Sequence, residues 1–395
     1  MLQYAFGRAA KGLSDMDRAE IASSVASVVV KIGTQALTGK NGALEQAVIT
    51  ALADDLARLR KERRIAITLV SSGAIGAGMT EMGLSSRPKD LPMLQAAAAV
   101  GQSLLMNHFA AALRPHHLHA GQILVTRQDF EHRQRYLNLR DCIQALQRSN
   151  CVPIINENDA VAVEEIRFGD NDLIAAHITN LLRADLLILL SVVDGLLNAH
   201  GIVQSVVTGM EESVTALVRP ETSARGSGGM GGKLVAAGTV HTAGEPVIIA
   251  NGKTPRIVSR LLAGEELGTL ILPGSRRLSA RSRWIGLSAK TRGAVVVDDG
   301  AVRALQRNKS LLAGGITAVS GDFSRGDAVM VVDAAGAVIA RGLSNYSREE
   351  VEKIKGRKSR EFAALLGLNT WYEEVIHRDD LVLTQASATA RSSLK

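Results

Sequence analysis

The chain has 395 residues, of which 46% are hydrophobic and 22% are charged. At roughly 100–200 residues per domain, this length predicts two or three domains with packed cores and excludes a small disulfide-stabilised protein. Basic residues outnumber acidic ones by 46 to 39, and aromatic residues make up 3% of the chain. So few aromatic residues disfavour a surface that stacks single-stranded nucleic acid on rings. The small positive charge favours anionic ligands only weakly.

The sequence also disfavours a zinc site and a membrane span. Cys142 and Cys151 belong to no CxxC motif and to no Cys/His cluster with metal spacing, which is typical of a reducing cytosol. The most apolar run, residues 184–197, contains two aspartates and is shorter than the roughly 18 residues of a membrane helix. Residues 1–26 contain no apolar segment typical of a secretory signal. We therefore expect a cytoplasmic protein without membrane contact, and we treat residues 1–26 as an N-terminal extension.

Residues 27–273 alternate β-branched apolar runs with Ala/Leu-rich stretches. The apolar runs predict strands at residues 27–32, 65–71, 120–125, 152–156, 185–191, 246–250 and 268–272. The Ala/Leu-rich stretches predict helices at residues 45–62, 91–113, 136–148, 171–183 and 233–243. This alternation predicts an α/β fold, a three-layer αβα sandwich with a mainly parallel sheet. Ligands of such sheets bind beyond the carboxyl ends of the strands, so chemistry is expected there.

The pattern changes after residue 273. Residues 274–290 are rich in arginine and contain no acid, which predicts a basic linker. Short alternating strands are then predicted at residues 293–297, 315–319, 327–332 and 338–343, separated by glycine-containing turns. They indicate a small, mostly β domain over residues 291–382, followed by a disordered tail at residues 383–395.

Two predicted strands end in residues that suit an anionic ligand. Lys31 lies near the end of the first strand, two residues before Gly33. A strand-end lysine close to a glycine suits a phosphate. A solvated charge at the strand end is the alternative. Ser72 follows the second strand in Ser-Ser-Gly-Ala-Ile (71–75), where small residues leave N–H donors open at a helix start. An ordinary strand-to-helix turn would look the same.

The strongest motif is a pair of carboxylate and amide clusters. Asn-Glu-Asn-Asp (156–159) follows a predicted strand directly, and Gly-Asp-Asn-Asp (169–172) begins a predicted helix. Such side chains can bind an ammonium group, orient basic side chains or approach Mg²⁺. Each cluster alone could be a plain helix cap, but two clusters after one strand favour a binding site.

A glycine-rich run, residues 226–232, precedes Lys233. It matches GxGxxG but lies too late in the chain for a dinucleotide fingerprint, and Leu234 excludes a Walker A loop. A glycine run that ends in lysine at a helix start can still hold a phosphate. A flexible surface loop is the alternative.

Together these motifs resemble the amino-acid kinase family, and within it the members that phosphorylate glutamate. The similarity spans residues 27–380, and its end, at residues 319–327, resembles a PUA domain. It identifies residues 27–273 as an amino-acid kinase domain and residues 291–382 as a PUA-like domain. The matching elements are Val-Val-Lys-Ile-Gly-Thr (29–34), Ser-Ser-Gly-Ala-Ile (71–75), Leu-Asn-Leu-Arg-Asp (137–141), Ile-Asn-Glu-Asn-Asp-Ala-Val-Ala (155–162), Gly-Asp-Asn-Asp (169–172) and Gly-Gly-Met (228–230).

The resemblance implies roles for individual residues. Lys31 and Lys233 would hold the ATP phosphates as catalytic residues, and Asp172 would orient both lysines. Mg²⁺ would bridge the phosphates, with no metal ligand from the protein. The implied glutamate-binding residues are Ser72, Asn156, Asp159, Asp170 and Asn171. The implied ATP-binding residues are Lys31, Gly33, Ser191, Val192, Ser227, Gly228, Gly229, Met230, Gly231, Gly232 and Lys233.

The implied reaction is ATP-dependent phosphorylation of the γ-carboxylate of L-glutamate to L-glutamyl 5-phosphate, the first step of proline biosynthesis. The implied partners are a second copy of the chain in a homodimer or homotetramer, proline as feedback inhibitor, and glutamyl phosphate reductase as acceptor of the product. RNA is not an expected partner.

Two positions depart from the family pattern. Val192 stands where an aspartate is usual, and Gly232 stands where a threonine is usual. Both lie on the ATP side of the expected site. They leave open a catalytically weakened paralogue that acts as a regulatory or RNA-binding protein, or a sibling kinase acting on another carboxylate or on carbamate.

Overall fold

The structure is a computed structural model whose chain divides into two compact units. The N-terminal unit comprises Met1–Asp129 and Gln134–Arg277, and the C-terminal unit comprises Phe130–Arg133 and Leu278–Lys395. The residues that the structure describes are 17–39, 43–162, 170–198, 200–210, 229–367 and 372–384.

An eight-stranded sheet forms the centre of the N-terminal unit, with strand order β3-β4-β2-β1-β5-β7-β8-β6. Neighbouring strands are parallel except for β7 and β8. Every predicted strand of this unit is present to within a residue or two, and the two-residue strand β6 was not predicted. The strands are β1 (Ser27–Ile32), β2 (Ala66–Ser71), β3 (His119–Val125), β4 (Cys151–Glu157), β5 (Leu186–Ser191), β6 (Val206–Val207), β7 (Val247–Asn251) and β8 (Thr269–Ile271).

Helices cover both faces of this sheet. They are α1 (Arg18–Ser24), α2 (Thr34–Leu37), α3 (Gln46–Arg63), α4 (Ala74–Glu81), α5 (Leu91–Leu113), α6 (Arg127–Glu131), α7 (Arg133–Arg148), α8 (Asn171–Leu182), α9 (Met230–Ala243) and α10 (Ile257–Leu262). Of these, α5 has the predicted bounds, whereas α9 begins three residues before the predicted start. No helix among the described residues is long and apolar enough to cross a membrane.

The central strand β1 separates two different environments. Val28, Val30 and Ile32 belong to the hydrophobic core that α3, α5 and α10 cover. Because side chains alternate along a strand, Val29 and Lys31 face the opposite side. Helix α8 packs against β1 on this opposite side and also contacts α9. The only charged side chain of β1 therefore lies in the layer that carries the starts of α8 and α9.

Helices α4 and α5 cross with their backbones in contact. A Cβ atom at Gly101 would lie 1.8 Å from the carbonyl oxygen of Ala74, and one at Gly78 would lie 1.8 Å from that of Ala97. Both positions therefore require glycine, because any side chain would force the helices apart. The crossing fixes α4, and with it the loop that contains Ser72, against α5.

The N-terminal extension expected at residues 1–26 is folded from Asp17 onward, while residues 1–16 lie outside the described part of the chain. Asp17 caps α1 by accepting a hydrogen bond from the N–H of Glu20. The buried guanidinium of Arg18 donates to the carbonyl oxygens of Leu267 at 2.6 Å and Ser205 at 2.8 Å. Residues 17–26 thus belong to the N-terminal unit, because Arg18 satisfies backbone acceptors beside β6 and β8.

A five-stranded sheet with order β10-β9-β11-β12-β13 forms the C-terminal unit. Its strands pair antiparallel, except for the parallel pair of β9 and β11. The strands are β9 (Thr291–Val297), β10 (Ile316–Gly321), β11 (Ala328–Val332), β12 (Val338–Leu343) and β13 (Leu381–Leu383). The helices are α11 (Ala280–Arg283), α12 (Asp299–Gln306), α13 (Arg348–Ile354) and α14 (Phe362–Leu366).

The stretch predicted as a basic linker, residues 274–290, is instead folded from Leu278 onward. Arg283 is fully buried, and its Nε donates to the carbonyl oxygen of Leu278 at 3.0 Å. Arg341 of β12 donates to the carbonyl oxygen of Gly286 at 2.7 Å. Of the arginines that suggested a linker, Arg283 thus satisfies a backbone carbonyl inside the C-terminal unit, and Arg281 pairs there with the carboxylate of Asp380. Of the tail predicted to be disordered, residues 385–395 lie outside the described residues.

Candidate functional site

Two lysines and one aspartate meet beside the central strand of the N-terminal unit. The Nζ atom of Lys31 lies 2.6 Å from Oδ1 of Asp172, and the Nζ atom of Lys233 lies 3.0 Å from Oδ2. Both lysines are 4% exposed, and Asp172 is fully buried. We call these three residues the charge triad. Two ammonium groups share one carboxylate, so the triad carries an excess positive charge that favours an anionic ligand.

Three separate elements bring the charge triad together. Lys31 is the fifth residue of β1, Asp172 is the second of α8 and Lys233 is the fourth of α9. The start of α9 has Gly229 as its N-cap and no side-chain cap, so its first N–H groups remain available to an anion. The start of a helix also favours the negative charge of Asp172.

The lysines keep Asp172 ionised. Burial alone would raise the pKa of Asp172, but the charges and hydrogen bonds of Lys31 and Lys233 outweigh it and lower the pKa below the ordinary value. The carboxylate is therefore charged throughout the neutral range and holds both ammonium groups in place.

Asp170 is the opposite case. Burial and the charge of Asp172 raise the pKa of Asp170, and Lys31, whose Nζ lies 3.9 Å away, only partly offsets this. Its Oδ1 accepts the N–H of Asp172 at 3.0 Å and so caps α8. Its Oδ2 is buried and has no hydrogen-bond partner among the described residues. One oxygen of Asp170 is thus committed to the fold, while the other is uncommitted.

Gly232 leaves space for this second oxygen. A Cβ atom at position 232 would lie 2.6 Å from Oδ2 of Asp170. A side chain there would therefore displace the Asp170 carboxylate. The departure from the family pattern at Gly232 thus has a steric explanation, because the glycine lets α9 approach the start of α8.

Three of the expected glutamate-binding residues are in direct contact. The Nδ2 atom of Asn171 lies 2.8 Å from Oγ of Ser72 and 2.9 Å from Oδ1 of Asn156, and it donates to both. Asp170 precedes Asn171 in the chain. Asp159 lies half-buried in the turn after β4. The clusters predicted from separate parts of the sequence therefore converge at the carboxyl ends of β2 and β4.

The structure describes most of the residues that are expected to bind ATP. Gly33 follows β1, and its N–H donates to the carbonyl oxygen of Leu190 in β5 at 3.1 Å. Ser191 ends β5, and Val192 follows with 37% of its surface exposed. Gly229 is the N-cap of α9, and Met230, Gly231, Gly232 and Lys233 form its first turn. Ser227 and Gly228 lie outside the described residues.

One buried side chain beside this site was not predicted. Oε1 of Gln102, in α5, accepts a hydrogen bond from Nδ2 of Asn156 at 2.8 Å. In the sequence Gln102 is one of three side-chain amides of an Ala-rich helix, together with Gln95 and Asn107, and nothing in the helix pattern distinguishes it from a surface residue.

Comparisons with known proteins show the family of the chain. A model of the amino acid kinase family matches residues 26–251, and a PUA domain model matches residues 293–366. The protein named Glutamate 5-kinase from Caldanaerobacter subterraneus subsp. tengcongensis is 43% identical over 365 residues, which are 91% of this chain and 98% of that protein. The one from Syntrophotalea carbinolica is 43% identical over 373 residues, 93% of this chain and 99% of that protein.

The chain belongs to the glutamate 5-kinase branch of the amino acid kinase family.

This membership confirms the predicted family, the α/β fold with its mainly parallel sheet, and the PUA domain. Similar solved structures have lower sequence identity. UMP kinase from Bacillus anthracis is 14% identical with a TM-score of 0.44, covering 63% of this chain and 96% of its own. Carbamate kinase from Giardia lamblia bound to AMP-PNP is 19% identical with a TM-score of 0.45, covering 64% of this chain and 99% of its own.

Substitution of Asp172 tests the charge triad of this amino acid kinase. Asp172→Asn leaves two buried ammonium groups for which, among the described residues, Asp170 is the only carboxylate nearby, so we expect the free energy of unfolding to fall by about 3–5 kcal/mol. Urea unfolding followed by circular dichroism measures the change. As a control, replacing the whole triad by apolar residues (Lys31→Met, Asp172→Leu and Lys233→Met) should recover most of the loss. An Asp172→Asn variant as stable as the wild type would contradict the electrostatic assignment.

Substitution of Asp170 tests the raised pKa. A raised folded-state pKa means that ionisation of Asp170 costs stability at neutral pH, and that this cost disappears as the pH falls below the ordinary value. Asp170→Asn keeps the cap oxygen, so we expect it to match or exceed the wild-type free energy of unfolding at neutral pH. This advantage should vanish below about pH 4. The control is Asp90→Asn at the exposed N-cap of α5. A variant that loses stability at neutral pH would refute the prediction.

Proposed function

We propose that the chain transfers the γ-phosphoryl group of ATP to the γ-carboxylate of L-glutamate and forms L-glutamyl 5-phosphate, the first step of proline biosynthesis. The charge triad carries this proposal, because its excess positive charge suits the phosphates of a nucleotide. Relatives that are 43% identical over more than nine tenths of this chain are named Glutamate 5-kinase, which supports the same substrate.

In the proposed reaction, Lys31 and Lys233 neutralise charge on the transferring phosphoryl group, and Asp172 holds both ammonium groups in position. A γ-carboxylate is already ionised near pH 7, so its oxygen attacks the phosphorus without a general base. Phosphoryl transfer depends mainly on positioning and charge neutralisation. A preorganised buried triad supplies both, because it does not have to reorganise as the charge moves.

Glutamate would be bound by the amide and carboxylate cluster. We assign recognition of the substrate to Ser72, Asn156 and Asn171, which form one hydrogen-bonded group, and to Asp159 and Asp170, which flank it. Burial and the charge of Asp172 raise the pKa of Asp170, and a substrate ammonium group beside its uncommitted Oδ2 would offset both.

Mg²⁺ would accompany ATP. Among the described residues, no three His, Cys, Asp or Glu side chains lie together as a metal site, and both Asp172 oxygens contact lysines. The residues present fit a metal carried mainly by phosphate oxygens, with one uncommitted carboxylate oxygen at Asp170. The metal would neutralise phosphate charge during transfer.

The alternative readings have less support. A weakened paralogue acting as a regulator or RNA-binding protein would explain the exposed Val192, but such a protein has no need for a buried charge triad. A kinase for another carboxylate or for carbamate would not account for the matching relatives. We retain proline as a feedback inhibitor and glutamyl phosphate reductase as the acceptor of the labile acyl phosphate.

The proposed activity is tested by hydroxamate formation from glutamate, ATP and Mg²⁺. We expect turnover by the wild type, inhibition by added proline, and a loss of about 100-fold or more in Lys233→Ala, because one of the two phosphate-neutralising charges is removed. The matched control is Lys61→Ala, an exposed lysine at the end of α3. Folded wild type that turns over aspartate, N-acetylglutamate or carbamate but not glutamate would overturn the proposal.

We also propose a homodimer formed through α5. This 23-residue helix contains no Asp, Glu, Lys or Arg. Its outer face is exposed and carries small or apolar side chains, including Met93 and Val100 at 39% and 37% exposure. An uncharged exposed face of this length suits an identical face of a second copy, because self-association about a twofold axis pairs like with like.

Light scattering after size-exclusion chromatography tests this interface. We expect the mass of a dimer, or of a tetramer built from dimers, for the wild type, and of a monomer for Val100→Glu, since the substitution would bury two unpaired charges. Leu312→Glu replaces an apolar residue of the C-terminal unit that is 55% exposed, and it should leave the mass unchanged. A monomeric wild type, or an unchanged mass in Val100→Glu, would contradict the assignment.

A further inference from the structure

The buried amide of Gln102 contacts the glutamate-binding cluster without belonging to it. Its side chain is 7% exposed and lies directly after Gly101, where α4 and α5 touch. Its Oε1 accepts the Nδ2 hydrogen of Asn156 at 2.8 Å. From Gln102 a continuous chain of hydrogen bonds runs through Asn156 and Asn171 to the hydroxyl of Ser72.

Gln102 helps to fix which way the Asn156 amide faces. Oδ1 of Asn156 accepts two hydrogen bonds, from the N–H of Glu157 and from Nδ2 of Asn171, both at 2.9 Å. If the amide were reversed, its NH₂ group would face these two donors. The acceptor Oε1 of Gln102 on the other side favours the orientation in which all three hydrogen bonds form.

Gln102 makes this contact at a cost to the fold. Its Nε2 is buried and has no hydrogen-bond partner among the described residues. An unsatisfied buried donor is unfavourable, and an apolar residue of similar size would remove that penalty. Packing alone therefore does not account for an amide at this position, whereas control over Asn156 does.

We propose that Gln102 is a positioning residue for glutamate. Acting through Asn156, it holds the Asn171 amide against Ser72 and so fixes the polar surface that meets the substrate. This inference rests on the proposed function, because it assigns Gln102 to the glutamate side of that same site. Within the described part of the chain, Gln102 hydrogen-bonds to Asn156 and not to any member of the charge triad. Its loss should affect glutamate and spare ATP.

Steady-state kinetics of Gln102→Met tests the proposal. The methionine keeps the volume but removes the acceptor, so we expect KM for glutamate to rise about tenfold, the equivalent of one lost hydrogen bond. KM for ATP should stay within about twofold, which separates loss of substrate positioning from general damage. Gln102→Glu keeps an oxygen facing Asn156 and should therefore recover part of the lost affinity. It replaces Gln102→Met as the test if the methionine variant unfolds at the assay temperature.

Two further variants separate positioning from a merely structural role. In an Asn156→Ala background, Gln102→Met should have little additional effect, because the residue acts through Asn156. Gln147→Met removes an amide that donates to Oγ1 of Thr68 at 3.0 Å, away from the site, and should leave both KM values unchanged.

The outcomes distinguish this inference from the proposed function. If the wild type and Gln147→Met turn over glutamate while Gln102→Met keeps a wild-type KM, or raises both KM values equally, the positioning role is overturned and the kinase activity stands. Additive effects of Gln102→Met and Asn156→Ala would also overturn it. A folded wild type without glutamate turnover would overturn both.

Discussion

The site depends on one buried carboxylate that holds two ammonium groups. Isolated charges of this kind are costly to remove from water, and a shared counter-ion makes their burial tolerable. Lys31, Asp172 and Lys233 come from β1, α8 and α9, so formation of the triad joins the central strand to the layer that covers it. The same arrangement leaves a positive charge unbalanced, which is what an incoming polyphosphate would neutralise.

Two aspartates only two residues apart have opposite properties in this site. Asp172 is committed to the lysines, and its pKa is lowered despite its burial. The pKa of Asp170 is raised by burial and by the charge of Asp172. Where the environment gives neighbouring carboxylates such different pKa values, the two groups typically have different roles. In the proposed reaction Asp172 serves the fold and the phosphates, while Asp170 keeps an oxygen for a cationic partner, and Gly232 leaves space for that oxygen.

Much of this architecture could be predicted from the sequence because strong local signals agreed with it. Strand β1 contains a run of three valines, and α5 has an aspartate cap at Asp90 and a long Ala/Leu-rich stretch, so both have the predicted bounds. The start of α9 was predicted too late because its first turn is a glycine run without a side-chain cap. The clusters at residues 156–159 and 169–172 were recognisable because parallel strands end at one edge. No sequence pattern marked Gln102, because its proposed role arises from a tertiary contact with Asn156.

The crossing of α4 and α5 links this unpredicted contact to the fold. Where Gly101 meets Ala74, the two backbones approach more closely than any side chain would permit. The loop before α4 carries Ser72, and the residue after Gly101 is Gln102, so a single close approach sets both ends of the amide chain. The separation of Gln102 from Ser72 is therefore a property of the helix crossing. Any substitution that separates the helices should loosen the glutamate side of the site before it reaches the charge triad, because the triad is held by β1, α8 and α9.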